Sequence, residues 1–295
     1  MEAEVLEKLK KAGRIAAEAL DYAKSLVKPG VLLVDVCDKT EEKIKNLGGE
    51  LAFPVQISLN DCAAHFCPEE DDKTEFSEQI VSIDVGVHID GWVGGDNAVT
   101  LDLSKEHGDL VKASRDALNK ALKIVKPGVK LKEIGAAIHD AITSYGFSPV
   151  RNLSGHGLGE YIIHTRPSIP NYDNGDNTEL KEDDLIAIEP FATDGAGIVY
   201  ESSPATIFAM INRKPVRLPM MRKVVNEIDK LNGLPFTTRW LTRKFSSSAK
   251  LAIVQLARQE IIKEYPPLVD KNHGLVSQAE HSLIVKDKPI ILTKI

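Results

Sequence analysis

The sequence predicts an α+β domain made of two related halves and interrupted by a small helical insert, and three observations carry that reading. The pentapeptide Val-Lys-Pro-Gly-Val occurs at 27–31 and again at 125–129, an offset of 98 residues. Each copy lies between two amphipathic helical patterns, and β-like runs follow each helix pair. Between the last of those runs, residues 211–265 carry twelve Lys/Arg against four Asp/Glu, a local +8 in a chain of net charge −6.

Taken in order, Val5, Leu9, Ala12, Ile15 and Ala19 fall on one helical face, the first Pro-Gly makes a turn, and a second amphipathic segment runs from about Asp35 to Leu47. Ile80–His88 and Asn97–Leu103 read as strands around Ile89-Asp90-Gly91, where Asp-Gly signals a hairpin. The pattern then repeats: Leu110, Ala113, Ala117, Ala121 and Ile124 share a face, and Leu131 to Tyr145 follows the second Pro-Gly. Asp184–Phe191 and Gly274–Val285 read as β runs of the second half. The insert shows helical periodicity at Val224, Ile228 and Leu231 and again from about Ala249 to Tyr265. The expected organisation is a main domain of residues 1–208 and 268–295 with a helical subdomain at 209–267.

Composition bounds the function. With 43% hydrophobic and 27% charged residues the chain can bury a sizeable core, and a charge of −6 excludes a surface that is basic throughout. The acidic N-terminus enters a helix without a signal-peptide pattern, and no apolar run approaches membrane-spanning length, so a cytoplasmic monomer is expected. Of three cysteines, Cys62 and Cys67 are the close couple and form Cys-x-x-His-x-Cys with His65. No second cluster completes a zinc site, so they read as buried thiols beside a functional histidine.

Four acids stand in otherwise apolar or small-residue β runs: Asp84, Asp96, Glu189 and Glu280. A carboxylate placed there is costly unless it is paired or binds metal, and the same runs hold too few Lys/Arg to neutralise four. His156 sits in the glycine-rich Ser-Gly-His-Gly-Leu-Gly, which lacks the Gly-Lys-Ser/Thr ending of a phosphate loop. Four carboxylates and one imidazole suit Co, Mn, Fe or Zn. Two divalent ions would balance the four charges and leave room for a hydroxide. Without them, each carboxylate pair at ~4 Å repels by ~4 kcal/mol at an effective dielectric of 20.

These motifs, with Ala52-Phe53-Pro54, Asn60-Asp61-Cys62-Ala63-Ala64-His65, Leu153-Ser154-Gly155-His156, Ile188-Glu189-Pro190-Phe191, Leu234-Pro235-Phe236 and Ala279-Glu280-His281, resemble type II methionine aminopeptidases of the pita-bread superfamily. The resemblance runs from the first helix to about Val285. It implies a pseudo-twofold fold around an antiparallel sheet, with Asp84, Asp96, His156, Glu189 and Glu280 as ligands of two metal ions. It further implies His65, His164 and Glu189 as catalytic groups, and Phe53, His65, Ile163 and His164 as contacts of the substrate, an N-terminal Met peptide or nascent chain. His88, His107, His139, His273 and His281 have no such warrant and read as packing or surface residues.

Two departures stand out. The family spaces its two aspartates eleven apart, whereas Asp84 and Asp96 are twelve apart. One extra residue would turn Asp96 to the wrong face unless a bulge absorbs it, and Gly94-Gly95 is a composition that bulges favour. Arg166, two residues after His164, replaces a small residue of the family and is expected to narrow or recharge the cleft entrance. The competing readings are an Xaa-Pro peptidase of the same fold and a non-catalytic, ribosome- or RNA-binding relative. The basic insert suggests ribosome contact under either enzyme or binding reading.

Overall fold

The computed structural model describes residues 1–294 and shows the two halves directly. The first half opens with α1 (Ala3–Leu26) and α2 (Leu33–Asn46), followed by β1 (Glu50–Leu59), β2 (Cys62–Ala64), β3 (Ile80–Ile89) and β4 (Trp92–Asp102). The second opens with α3 (Gly108–Ile124) and α4 (Leu131–Thr143), then β5 (Ser148–Pro149), β6 (Ser154–Gly159), β7 (Ile162–Pro170), β8 (Leu185–Ile188), β9 (Phe191–Thr193) and β10 (Val199–Glu201). Both repeat turns are built alike. Gly30 (φ 82°) and Gly128 (φ 85°) take the left-handed conformation that only glycine adopts without a steric penalty. Their N–H groups donate to Phe76 O and Leu180 O, each at 2.8 Å.

Each helix pair covers the sheet of its own half. Leu9, Ala12, Ile15 and Ala19 of α1 are buried, and α1 and α2 pack Ala12, Ile15, Leu33, Val36 and Ile44 against Val55, Ile57, Ile83 and Val85 of β1 and β3. α3 and α4 pack Leu110, Ala117, Ile134 and Ile138 against Ile169, Ile186, Ile188 and Leu283. The strand pairings are antiparallel, with order β1-β3-β4 in one half and β17-β16-β8-β6-β7 in the other, where β16 is His281–Ile284 and β17 is Ile290–Ile291. The halves join where β4 runs beside β16. Asp96 N–H donates to Ser282 Oγ at 2.9 Å, that hydroxyl donates back to Asp96 O at 2.8 Å, and Glu280 N–H donates to Ala98 O at 3.0 Å.

The insert has its own sheet as well as helices. β11 (Ile207–Met210) pairs with β12 (Phe236–Thr237) and β13 (Ile262–Tyr265), and α5 (Pro219–Ile228), α6 (Thr238–Phe245) and α7 (Ser248–Arg258) close over a core of Phe208, Val224, Phe236 and Leu256. The helix expected to reach Tyr265 ends at Arg258, because Glu260 turns left-handed (φ 54°) and the β-branched Ile261-Ile262 then enters β13. The remaining strands are β14 (Leu268–Asp270) and β15 (Val276–Gln278).

Two charge and thiol expectations change. The basic stretch is not a free basic face, since seven of its twelve cations are ion-paired. Arg239 is fully buried against Asp38 and Glu41, Arg243 and Lys250 reach Asp38 and Glu69, and Arg213, Lys214, Lys230 and Lys244 pair within the insert. Cys67 has Cys37, from α2, as its thiol neighbour rather than Cys62, and Arg239 Nη2 donates to Cys67 Sγ at 3.7 Å. All three thiols are free. Among the described residues no helix is long and apolar enough to cross a membrane.

Candidate metal centre

The hairpin β3–β4 sets the first two acids. Ile89 pairs with Trp92 and His88 with Val93, but Val87 pairs with Gly95, so Gly94 is the extra residue of a bulge. From there Gly86 pairs with Asp96 and Asp84 with Ala98, which puts both carboxylates on one face. A regular hairpin would have set Asp96 opposite Val85 and turned it away. The bulge lies against α1, where a Cβ on Gly94 would strike the backbone of Leu9.

Glu189 and Glu280 are not inside continuous strands, as their sequences suggest. Each occupies a break between two short strands that belong to different sheets: Glu189 between β8 and β9, Glu280 between β15 and β16. Pro190, which cannot donate to a ladder, marks the first break, and its carbonyl accepts from Ala279 N–H beside the second at 3.3 Å. The break frees each carboxylate from the alternating pleat and lets it reach the space between the halves.

There the side chains converge. Asp96, His156 and Glu280 each offer a ligand atom within 4.8 Å of the others, and all three are buried. His156 Nε2 lies 3.5 Å from Glu189 Oε1 and 3.8 Å from Asp96 Oδ2. Asp84 falls outside that tightest group; one of its oxygens accepts from Gln56 Nε2 at 3.3 Å, and the other, Oδ1, is buried with no partner. Glu189 Oε2 accepts from Gln278 Nε2 at 3.3 Å. Among the described residues no Lys or Arg pairs with any of the four carboxylates.

Burial raises all four acids. Desolvation takes Asp84 up to about 7 and pushes Asp96 well above the usual carboxylate range, where the Asp84 charge adds to it. Glu189 and Glu280 are raised by burial and then by Asp96 and the remaining acids. The imidazoles move the other way: burial and the neighbouring His164 lower His156 to about 3 and His65 to about 4. Neutral imidazole is the form that ligates metal. Two carboxylates at the 4.8 Å limit of that group repel by about 3 kcal/mol at an effective dielectric of 20. A cation-free acid cluster with an orphaned Asp84 oxygen and neutral imidazoles fits divalent metal.

One wall of the cleft is aromatic. The His156 and His164 rings meet edge to face at 4.5 Å, and Tyr265 stands 5.6 Å from His65 and 6.4 Å from His164. Tyr265 was not legible as a site residue, because Ile-Ile-Lys-Glu-Tyr continued an apparent helix; the Pro-Pro that follows was the available stop signal. Phe53 and Ile163 are buried in one apolar cluster with Leu158 and Leu234. Arg166 instead lines a separate cavity with Asp176, Thr178, Glu179, Lys181 and Asp184. Cys62, His65 and Cys67 form no metal-ligand group among the described residues. Elsewhere, His88 Nδ1 accepts from Gly91 N–H at 3.0 Å, and His273 pairs with Asp61 at 2.6 Å on the surface.

Comparison with known proteins agrees with this picture. The metallopeptidase family M24 profile matches residues 7–212. A methionine aminopeptidase of Archaeoglobus fulgidus is 44% identical over 295 residues, covering 99% of each chain. The crystal structure of the Thermotoga maritima methionine aminopeptidase superposes with a TM-score of 0.74 at 26% identity, covering 100% of this chain and 98% of that one. A thermophilic Arx1 shares the fold at a TM-score of 0.86 and 19% identity, covering 97% and 90%. Duplicated halves, pita-bread fold and near-complete coverage of its relatives converge on one assignment: the chain belongs to metallopeptidase family M24, among the methionine aminopeptidases.

Proposed function

We propose that this site removes the N-terminal methionine from peptides and nascent chains, with Asp84, Asp96, His156, Glu189 and Glu280 holding two divalent ions (Co, Mn, Fe or Zn). The observation that carries this reading is the convergence of Asp96, His156 and Glu280 within 4.8 Å, flanked by Asp84 and Glu189, with no balancing protein cation among the described residues. Bound there, the ions would supply Lewis-acid polarisation and an activated water nucleophile.

The chain's own residues supply the rest. Phe53, Ile163 and Leu234 form the apolar wall that receives the methionine side chain, and His65 closes the pocket on its polar side. His164, edge on to His156, donates a hydrogen bond to the oxyanion that develops on the scissile carbonyl. Glu189 takes a proton from the nucleophile and returns it to the leaving amine. Asp96 and Glu280 come from opposite halves and would both help to hold the metal, so the site exists only when the halves are joined.

Incubation of metal-reconstituted protein with Met-Ala-Ser tests this. Release of free methionine, absent after chelation and restored by Mn²⁺ or Co²⁺, is expected. Release only from Xaa-Pro peptides would favour the peptidase rival, and metal-independent binding to RNA without hydrolysis would favour the non-catalytic one. Contact with ribosomal RNA falls to the cations outside ion pairs, Arg217, Arg222, Lys223, Arg258 and Lys263 of the insert. A binding constant insensitive to salt argues against that contact.

A further inference from the structure

Resting on the reading above, we infer that Gln56 is a positioning residue that ties the metal ligand Asp84 to the auxiliary histidine His65. Gln56 lies on β1 directly opposite Asp84 of β3. An irregularity of β1 between Phe53 and Gln56 brings both to the face of Gly86 and Asp84, although they are three residues apart. Only 8% of Gln56 is exposed, and its amide is used at both ends. Nε2 donates to Asp84 Oδ2 at 3.3 Å, and Oε1 accepts the backbone N–H of His65 at 2.8 Å.

Each contact has a consequence. The bond to Oδ2 fixes the rotation of the carboxylate and leaves Oδ1, which has no protein partner, as the free donor atom. His65 sits in the left-handed region (φ 66°), which is unfavourable for a residue with a Cβ. Satisfying its N–H from a side chain of β1 holds it there. A side-chain amide of this length donates at one end and accepts at the other, whereas carboxylate only accepts and leucine does neither. Gln278 holds Glu189 in the other half through one such bond at 3.3 Å. Gln56 differs in linking a ligand to a substrate-side histidine.

The test uses full-length wild type, Gln56→Leu, Gln56→Glu, His65→Ala and the Gln56→Leu/His65→Ala double variant. Mn²⁺ affinity is read by calorimetry on stripped protein, and kcat and KM are read with Met-Ala-Ser at saturating Mn²⁺. Both Gln56 variants are expected to weaken Mn²⁺ binding by about tenfold or more, the usual consequence of losing a partner behind a metal ligand. His65→Ala leaves that affinity unchanged. At saturating metal Gln56→Leu lowers kcat, Gln56→Glu lowers it less because it still accepts from His65 N–H, and the loss from Gln56→Leu shrinks in the His65→Ala background. Wild-type Mn²⁺ affinity in a folded Gln56 variant, or kcat losses that multiply independently in the double variant, would overturn the inference alone. A wild type that neither binds Mn²⁺ nor cleaves Met-Ala-Ser would overturn the peptidase reading with it.

Discussion

Removing the metal should invert the pH dependence of stability. In the stripped protein burial raises the Asp84 carboxyl from an ordinary 3.8 to about 7. Between those values the unfolded chain gives up its proton while the native chain keeps it, so the native state binds more protons and stability falls as pH rises. At about 1.4 kcal/mol per pH unit, falling off as the native carboxyl itself ionises near pH 7, Asp84 alone costs about 2 kcal/mol between pH 5 and pH 7. Asp96, Glu189 and Glu280 are raised as well and act in the same direction. With metal bound the sign reverses, because ligation requires the deprotonated forms and strengthens with pH. Urea unfolding of chelator-treated protein at pH 5, 6, 7 and 8, repeated with Mn²⁺ and with Asp84→Asn, measures both slopes. The stripped wild type should lose stability across the series, and Asp84→Asn should lose less. Stripped protein whose stability is flat or rises over that range refutes the buried-acid account.

Three further outcomes follow from particular contacts. His164→Ala should lower kcat by about 10²–10³, as loss of one oxyanion donor does, while calorimetry shows unchanged Mn²⁺ affinity. Deleting Gly94 removes the bulge and the extra residue together, so Asp96 still faces Gly86; Mn²⁺ affinity close to wild type is expected, whereas inserting a further glycine there should abolish binding. Arg239→Met strands the buried Glu41 without its cation, while Asp38 keeps Arg243, and chemical denaturation should show a loss of about 3–5 kcal/mol.

Much of the fold was legible because its determinants are local. The two Val-Lys-Pro-Gly-Val turns, the helical faces of α1 and α3 and the Asp-Gly hairpin each depend on residues within a few positions of one another. The bulge at Gly94 was legible for a different reason, since an extra residue in a strand must go somewhere. What failed depends on tertiary placement. Ile-Ala-Ile-Glu-Pro-Phe looks like one strand, and only the second sheet explains why it breaks at Glu189. Three cations of the insert, Arg239, Arg243 and Lys250, looked free because their partners Asp38, Glu41 and Glu69 lie far away in sequence. Cys37 and Cys67 meet because α2 and the segment after β2 pack together, which no cysteine spacing encodes. Among the candidate ligands, residue type was readable from the runs themselves, and convergence only through the family resemblance.

Anomalous diffraction from crystals of Mn²⁺-loaded protein examines that convergence most directly. Two peaks are predicted, with carboxylate oxygens of Asp96 and Glu280 between them and Asp84, Glu189 and His156 at their outer sides. A single peak, or ions bound away from Asp96 and Glu280, would contradict the account.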